Sequence, residues 1–350
     1  MLHSLRLSSF RCYSSLRWEI PAEGALLLGS NAQGKTSLLE ALCFALTLHS
    51  PRATRLDRLA SHGSGAFGVS LDATEGTRRV RWQDRRLELS FRGAVCRDFA
   101  DYLHGAPPVT WLGNGDIGLV SGNAEQRRAY LDFLGAQWHP AYRASLQAYR
   151  KALRSRNALL RQPRRNGAAL RSFADVLSRH GDALTSMRRQ LLDLLQPQVG
   201  EQHAGSAGGG GSEELIYRQS TKLPLAEALE RSLPDDERLG FTSVGPHRDD
   251  FLLRIAGADA AAFASEGQQR TLATALQLAQ ASLLEAETGM APILLIDDVF
   301  GELDPARRRA LLARLSEETQ GFIMTTHLDW LHGEEPPLPV VHLKGGRLIA

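Results

Sequence analysis

The stretch Gly29-Ser-Asn-Ala-Gln-Gly34-Lys35-Thr36 fits the pattern G-x-x-x-x-G-K-[ST], whose chemistry is phosphate binding. Glycines at its two ends let the backbone wrap close to an anion. Successive N–H groups and the positive end of the following helix then face the phosphate oxygens. Gly29, Ser30, Asn31, Ala32, Gln33 and Gly34 form the expected cradle, with Lys35, Thr36 and Ser37 opening the helix. Lys35 would reach the β- and γ-phosphates and the Thr36 hydroxyl would ligate Mg²⁺, so the implied ligands are ATP and Mg²⁺.

A second group lies far downstream. Ile293-Leu-Leu-Ile-Asp297-Asp298 is an aliphatic run ending in two carboxylates. A strand buried in a parallel sheet reads this way, and ligands gather at the carboxyl ends of such strands. Asp297 is placed to hold Mg²⁺, directly or through water, and Asp298 to orient or deprotonate an attacking water. The plainer alternative is a strand that ends in a polar turn. A third group, Ser265-Glu-Gly267-Gln268-Gln269-Arg270, opens an amphipathic helix marked by Leu272, Leu276, Ala279 and Leu283. Ser265 suffices as an N-cap, so the rest of this polar run calls for something else to face.

These residues need elements to hold them. Leu5 and Leu7 alternate, Ala25–Leu28 is a short apolar strand into the loop, and Leu38, Leu39, Leu42, Ala45 and Leu46 form a helical stripe after it. Val69–Leu71, Val80–Trp82 and Leu87–Phe91 predict antiparallel strands. The period is helical from about Asn123 to Val199, with Arg164–Gly167 as the turn of a helical hairpin. Gly205–Ser212 is a glycine-rich loop. Strand character returns at Phe251–Ile255, Ile293–Ile296 and Gly321–Met324, and Val340–Ile349 reads as a closing hairpin. The predicted class is α/β, an ATPase lobe over 1–118 and 240–350 split by a helical lobe over 119–239.

The net charge of +2 conceals an asymmetry. Between Ala141 and Gln190 twelve Arg or Lys face only Asp175 and Asp182, a net of +10 against −8 for the rest. That is the footprint of a polyanion-binding surface. Arg154, Arg156, Arg164 and Arg165 are the candidate DNA contacts, against the alternative of a solvated helix face. No stretch approaches the roughly 18 apolar residues of a spanning helix, and the N-terminus has no apolar signal core. Cys12, Cys43 and Cys96 are odd in number and widely spaced, which reads as buried thiols in a reducing cytoplasm and not as a metal site. Trp82 and Trp111 read as core.

Ser265-Glu-Gly267-Gln268 resembles the signature of the ABC ATPase superfamily. Phe300-Gly-Glu-Leu-Asp304 resembles its D-loop, and Thr325-Thr-His327 its switch histidine. Within that superfamily the chain resembles the RecF family of recombination mediators. The resemblance rests on Leu7-Ser-Ser-Phe10-Arg11-Cys12-Tyr13, the phosphate loop, Gly245-Pro-His-Arg-Asp-Asp250, the S-x-G-Q-Q-R stretch and the run through Asp297 to Asp304. It implies an ABC-type P-loop ATPase head with an antiparallel β subdomain and an inserted helical lobe. It further implies that Ser265, Gly267, Gln268 and Asp304 contact ATP held by another copy, that Asp298, Lys35 and His327 serve hydrolysis, and that Arg11 touches the nucleotide phosphates or forms a strand-end ion pair.

As partners the resemblance implies DNA at gaps and single-strand/double-strand junctions, RecR, indirectly RecA, and a second copy joined by ATP. Slow ATP hydrolysis and roles in DNA repair, replication and the SOS response follow from the same source. Two departures stand out. Trp111–Ile117 keeps only Asp116 of the expected Q-loop, and Glu266 stands where the family has Gln or Arg. His247 and Arg248 are open between a structural turn and a site role. An ABC transporter subunit is disfavoured by the long basic insertion, and a non-catalytic scaffold by the presence of Lys35, Asp297, Asp298 and His327. Rad50 and SMC proteins, the long coiled-coil relatives, are excluded by length.

Overall fold

Aliphatic runs marked as buried strands lie side by side in the computed structural model, which describes residues 1–164, 166–207, 212–300, 305–315 and 319–349. Strands β1 (Leu2–Phe10), β2 (Tyr13–Glu19) and β3 (Gly24–Leu28) lead into helix α1 (Lys35–Thr47). Then come β4 (Ala66–Ala73), β5 (Arg78–Gln83), β6 (Arg86–Phe91), β7 (Ala94–Val95), α2 (Phe99–Leu103) and β8 (Val109–Gly113). Packing divides the chain into two units, Met1–Gly115 with Leu284–Ala350, and Asp116–Leu283.

In the first unit β1, β2 and β4 to β7 form an antiparallel sheet of order β2-β1-β4-β5-β6-β7. Its inner face alternates as period-two patterning demands, burying Leu5, Leu7, Val69, Leu71, Val80 and Trp82. Later strands β12 (Ile293–Asp297), β13 (Gly321–Thr325), β14 (Val340–Lys344) and β15 (Arg347–Ile349) join β3 and β8 in a second sheet, β15-β14-β3-β13-β12-β8. All pairs of this sheet except β14–β15 are parallel. Leu28 is therefore level with Thr325, and Asp297 with Met324 and Gly113.

The second unit begins with α3 (Gly118–Ser121) and α4 (Ala124–Trp138), whose start carries a reciprocal cap between Asn123 and Gln126. The expected helical hairpin follows as α5 (Pro140–Leu160) and α6 (Gly167–Ala207). After β9 (Glu213–Arg218), α7 (Leu225–Arg231) and α8 (Leu233–Leu239) come β10 (Asp250–Ile255), β11 (Ala258–Asp259), α9 (Ala260–Phe263) and α10 (Glu266–Thr288). Helix α11 (Pro305–Leu312) belongs to the first unit. The unit limits differ from 118 and 240 mainly because β10 pairs along its length with β9, drawing residues after 240 into the helical unit.

Two expectations need correction. Arg156 is only 1% exposed and cannot lie on a DNA-binding surface: its guanidinium donates to the buried Asp236 at 2.8 Å and to Thr242 Oγ1 at 2.6 Å. Arg188 is likewise buried, paired with Asp132 at 2.8 Å, so the +10 count overstates what this arm shows to solvent. Cys12 is exposed, not buried, because it occupies the tight β1–β2 turn, while Cys43 is fully enclosed.

Candidate active site

The phosphate loop occupies the turn from β3 to α1. Gly34 stands at φ +99°, and a Cβ there would come within 2.7 Å of the Tyr13 hydroxyl and 2.8 Å of Cys12 Sγ. Only glycine fits on both counts. Tyr13 is buried and donates its hydroxyl to the Gly34 carbonyl at 3.0 Å. At the other end of the loop the Gly345 N–H donates to Gln33 Oε1 at 2.5 Å. The loop is thus held from β2 on one side and from the β14–β15 turn on the other, two braces with no clear signature in sequence.

Lys35 is 3% exposed and folds back over the loop, donating to the carbonyls of Gly29 at 2.5 Å and Ser30 at 2.9 Å. Burial pulls its ammonium below the ordinary lysine range, opposed by Asp298 and Asp297. The Thr36 hydroxyl donates to Asp297 Oδ1 at 3.2 Å. Burial pushes the Asp297 carboxyl up to about 6, with the Thr36 bond opposing. Two residues more than 250 positions apart thus present oxygen atoms to one point, a donor set that suits a hard divalent cation.

Asp298 has left the strand geometry, with φ +58°, and its N–H donates to the Met324 carbonyl at 3.1 Å. His327 follows β13 and is half exposed, with Nδ1 at 3.5 Å from Asp329. Because β3, β13 and β12 are adjacent and parallel, the phosphate loop, His327 and the Asp297–Asp298 pair all emerge at one edge of the sheet. Asp304 of the D-loop and Arg165 of the arm lie outside the described residues.

For Arg11 the structure displays the ion-pair alternative. Its guanidinium forks onto the fully buried Glu40, at 2.8 and 2.6 Å, and donates to the Arg58 carbonyl at 2.8 Å. Glu40 also accepts from Ser50 Oγ at 2.5 Å. Nothing in the sequence distinguishes this acid in α1 from a surface one, except that it falls within an otherwise buried helix.

The signature stretch caps its own helix. Ser265 Oγ accepts from the Gln268 N–H at 3.3 Å, and Gln268 Oε1 accepts from the Ser265 N–H at 2.8 Å. Gly267 faces open space, with nothing within 4 Å of where a Cβ would stand. Glu266, the residue that departs from the family, pairs with Arg270 one turn on at 3.0 Å. Gly245–Asp250 is a structural knot of the second unit. His247 Nε2 donates to the Thr242 carbonyl at 3.0 Å, so its Nδ1 accepts from the Tyr149 hydroxyl at 2.7 Å. Burial holds this imidazole down at about 4. Asp250 accepts both arms of Arg127 at 2.8 Å, and Arg248 stacks over Phe241.

The chain is similar to known proteins over nearly its whole length. The AAA domain family matches residues 4–94. The DNA replication and repair protein RecF of Synechococcus sp. (strain JA-3-3Ab) is 36% identical over 95% of this chain and 94% of its own length. RecF of Anaeromyxobacter sp. (strain Fw109-5) is 37% identical over 93% and 92%. Among solved structures, the recombination mediator protein RecF with ATP, of the RecFOR pathway, superposes with a TM-score of 0.87 at 27% identity, covering 99% of this chain and 96% of that one. The Smc head domain from Pyrococcus furiosus, at TM-score 0.53 and 15% identity over 99% and 95%, shares the fold alone.

Proposed function

The chain belongs to the RecF family of DNA replication and repair proteins, and on that premise we propose that it is an ATP-gated DNA clamp. The observation that carries this reading is the convergence of Lys35, Thr36 and Asp297 at the carboxyl edge of β3 and β12. Lys35 would exchange its two loop carbonyls for phosphate oxygens. Thr36 and Asp297 would hold Mg²⁺, which on binding offsets phosphate charge. Asp298 orients a water for attack on the γ-phosphorus and takes its proton as the bond to ADP breaks. His327 contacts the same phosphate. Turnover is slow, because hydrolysis ends an assembled state and is not itself the output.

Ser265, Gly267 and Gln268 face ATP bound by a second copy, and Asp304, outside the described residues, serves the same site. The exposed helix start presents its positive dipole end and the Ser265 hydroxyl for that purpose. DNA is bound through exposed cations of the α5–α6 hairpin, Lys151, Arg154, Arg161, Arg164, Arg171 and Arg179. With RecR, the clamp marks gapped or junction DNA where RecA is loaded in the cytoplasm. Among the described residues no helix is long and apolar enough to cross a membrane.

Sedimentation with and without ATP tests the composite site. The wild type should pass from monomer to dimer. Ser265→Arg and Lys35→Ala should each stay monomeric and inactive, the first still binding ATP. A mixture of the two restores one intact composite site and should recover partial hydrolysis. A mixture as dead as its parts refutes the shared site.

A further inference from the structure

The most exposed aromatic side chain near the signature is Phe263, 78% accessible at the end of α9. Ala261 and Ala262 beside it are also exposed, while Ala260 is buried and anchors the turn. Phe263 is not a loose side chain on a loose loop. The Asp259 carboxylate caps α9 by accepting from the Ala261 N–H at 2.9 Å. The Gln269 side-chain amide, reaching back from α10, lies within 3.4 Å of the Ala260 and Ala261 carbonyls and 3.1 Å of the Ala264 carbonyl. The second glutamine of the S-x-G-Q-Q stretch therefore fixes the turn that displays the aromatic ring. A turn fixed in this way presents the ring at a set place, which lowers the ordering cost of its burial by a partner.

We propose that Phe263 is an anchor of the ATP-dependent dimer, buried against the nucleotide-bearing face of a second copy of this chain. This inference rests on the composite-site reading above and adds the residue that supplies the apolar contact. Phe263 stands two positions before Ser265, with only Ala264 between them, so their Cα atoms are at most about 7 Å apart. An ordinary interface covers about 800 Å² per partner, a disc of roughly 16 Å radius. With Ser265 on the partner's phosphate and more than about 7 Å inside the rim of the contact, Phe263 falls within that footprint. The signature itself is polar and can supply direction and charge but little apolar burial. The adjoining Ala-Ala-Phe surface supplies it, with small residues at Ala261 and Ala262 allowing close backbone approach.

The twofold interface uses each residue twice. Losing one buried phenyl weakens binding by about tenfold or more, so Phe263→Ala should raise the dimer dissociation constant roughly a hundredfold or more. The measurement is sedimentation of the full chain with a non-hydrolysable ATP analogue, alongside ATP binding by the monomer. Because Phe263 is exposed, Phe263→Ala should bind ATP like the wild type, and Phe263→Trp should restore dimerisation. The Trp variant adds a second readout, a blue-shifted emission on adding nucleotide that Ser265→Arg in the same chain abolishes. If wild type and Phe263→Ala dimerise equally while Ser265→Arg does not, the anchor is refuted and the composite site stands. If the wild type stays monomeric with nucleotide, both fall together.

Discussion

Replacing Arg156 by Met separates a buried strut from a DNA contact. Arg156 and Asp236 are 1% and 0% exposed, and Met keeps most of the arginine stem while removing its charge. Asp236 would be left as a buried carboxylate with three donors, the Ser243 N–H at 2.8 Å, Ser243 Oγ at 2.6 Å and Ser232 Oγ at 3.3 Å. Breaking one side of a buried pair costs about 3–5 kcal/mol. Those remaining bonds put the expected loss at the low end, about 3 kcal/mol, or roughly 6–12 °C of Tm. Adding Asp236→Asn should recover part of it, since the stranded charge is then gone, and the double-mutant cycle should show clear coupling. Urea unfolding followed by circular dichroism, with hydrogen exchange of α5 and α8 amides, reads the effect in the unit concerned. Exposed Arg154, changed to Glu, should move stability by no more than about 0.5 kcal/mol. An Arg156→Met protein as stable as the wild type, yet as weak on DNA as Arg154→Glu, would refute the buried placement.

Arg154→Glu with Arg164→Glu should weaken binding to all DNA sequences alike and flatten the log–log salt slope by about 2, with ATP affinity unchanged; DNA affinity equal to wild type would place the contact elsewhere. Burial pushes the Asp297 carboxyl up to about 6, so a cation must displace a proton below that pH. Mn²⁺ affinity followed by electron paramagnetic resonance should be flat above pH 7 and fall about tenfold per unit below 6, and a break near 4 would refute the raised value. Because the folded value is raised, the same group contributes stability that is present below 3.8 and lost as pH rises through about 6.

What was legible in the sequence was chemistry tied to local backbone geometry. A phosphate loop needs glycines at fixed spacing, and a buried parallel strand needs an unbroken aliphatic run, so Gly29–Thr36 and Ile293–Asp298 announce themselves. Charge counting failed where pairing is long-range. Arg156 and Arg188 look like their surface neighbours, and their partners Asp236 and Asp132 stand 80 and 56 residues away. Gly245–Asp250 is a conspicuous motif with an undecided reading, since its bonds run to Tyr149, Arg188 and Arg127 on helices that a linear reading cannot bring near. Tyr13 and Glu40 are similar cases, for a hydroxyl on a carbonyl and a carboxylate under an arginine leave no periodicity behind.

The place of β3 in its sheet bears on how the protein is made. Its two neighbours, β13 and β14, are drawn from residues 321–325 and 340–344, roughly 300 positions later. At about 5–20 residues per second on the ribosome, β3 waits roughly 15–60 s for its first partner. The β1–β2 hairpin and the β4–β5–β6–β7 meander, by contrast, pair among residues close in sequence and can form early. During that interval the phosphate loop has neither the strand beside it nor the Gly345 brace, and an aliphatic strand edge stays unpaired. A nascent chain should therefore acquire nucleotide affinity abruptly and late, and it is in this window that a chaperone has most to protect.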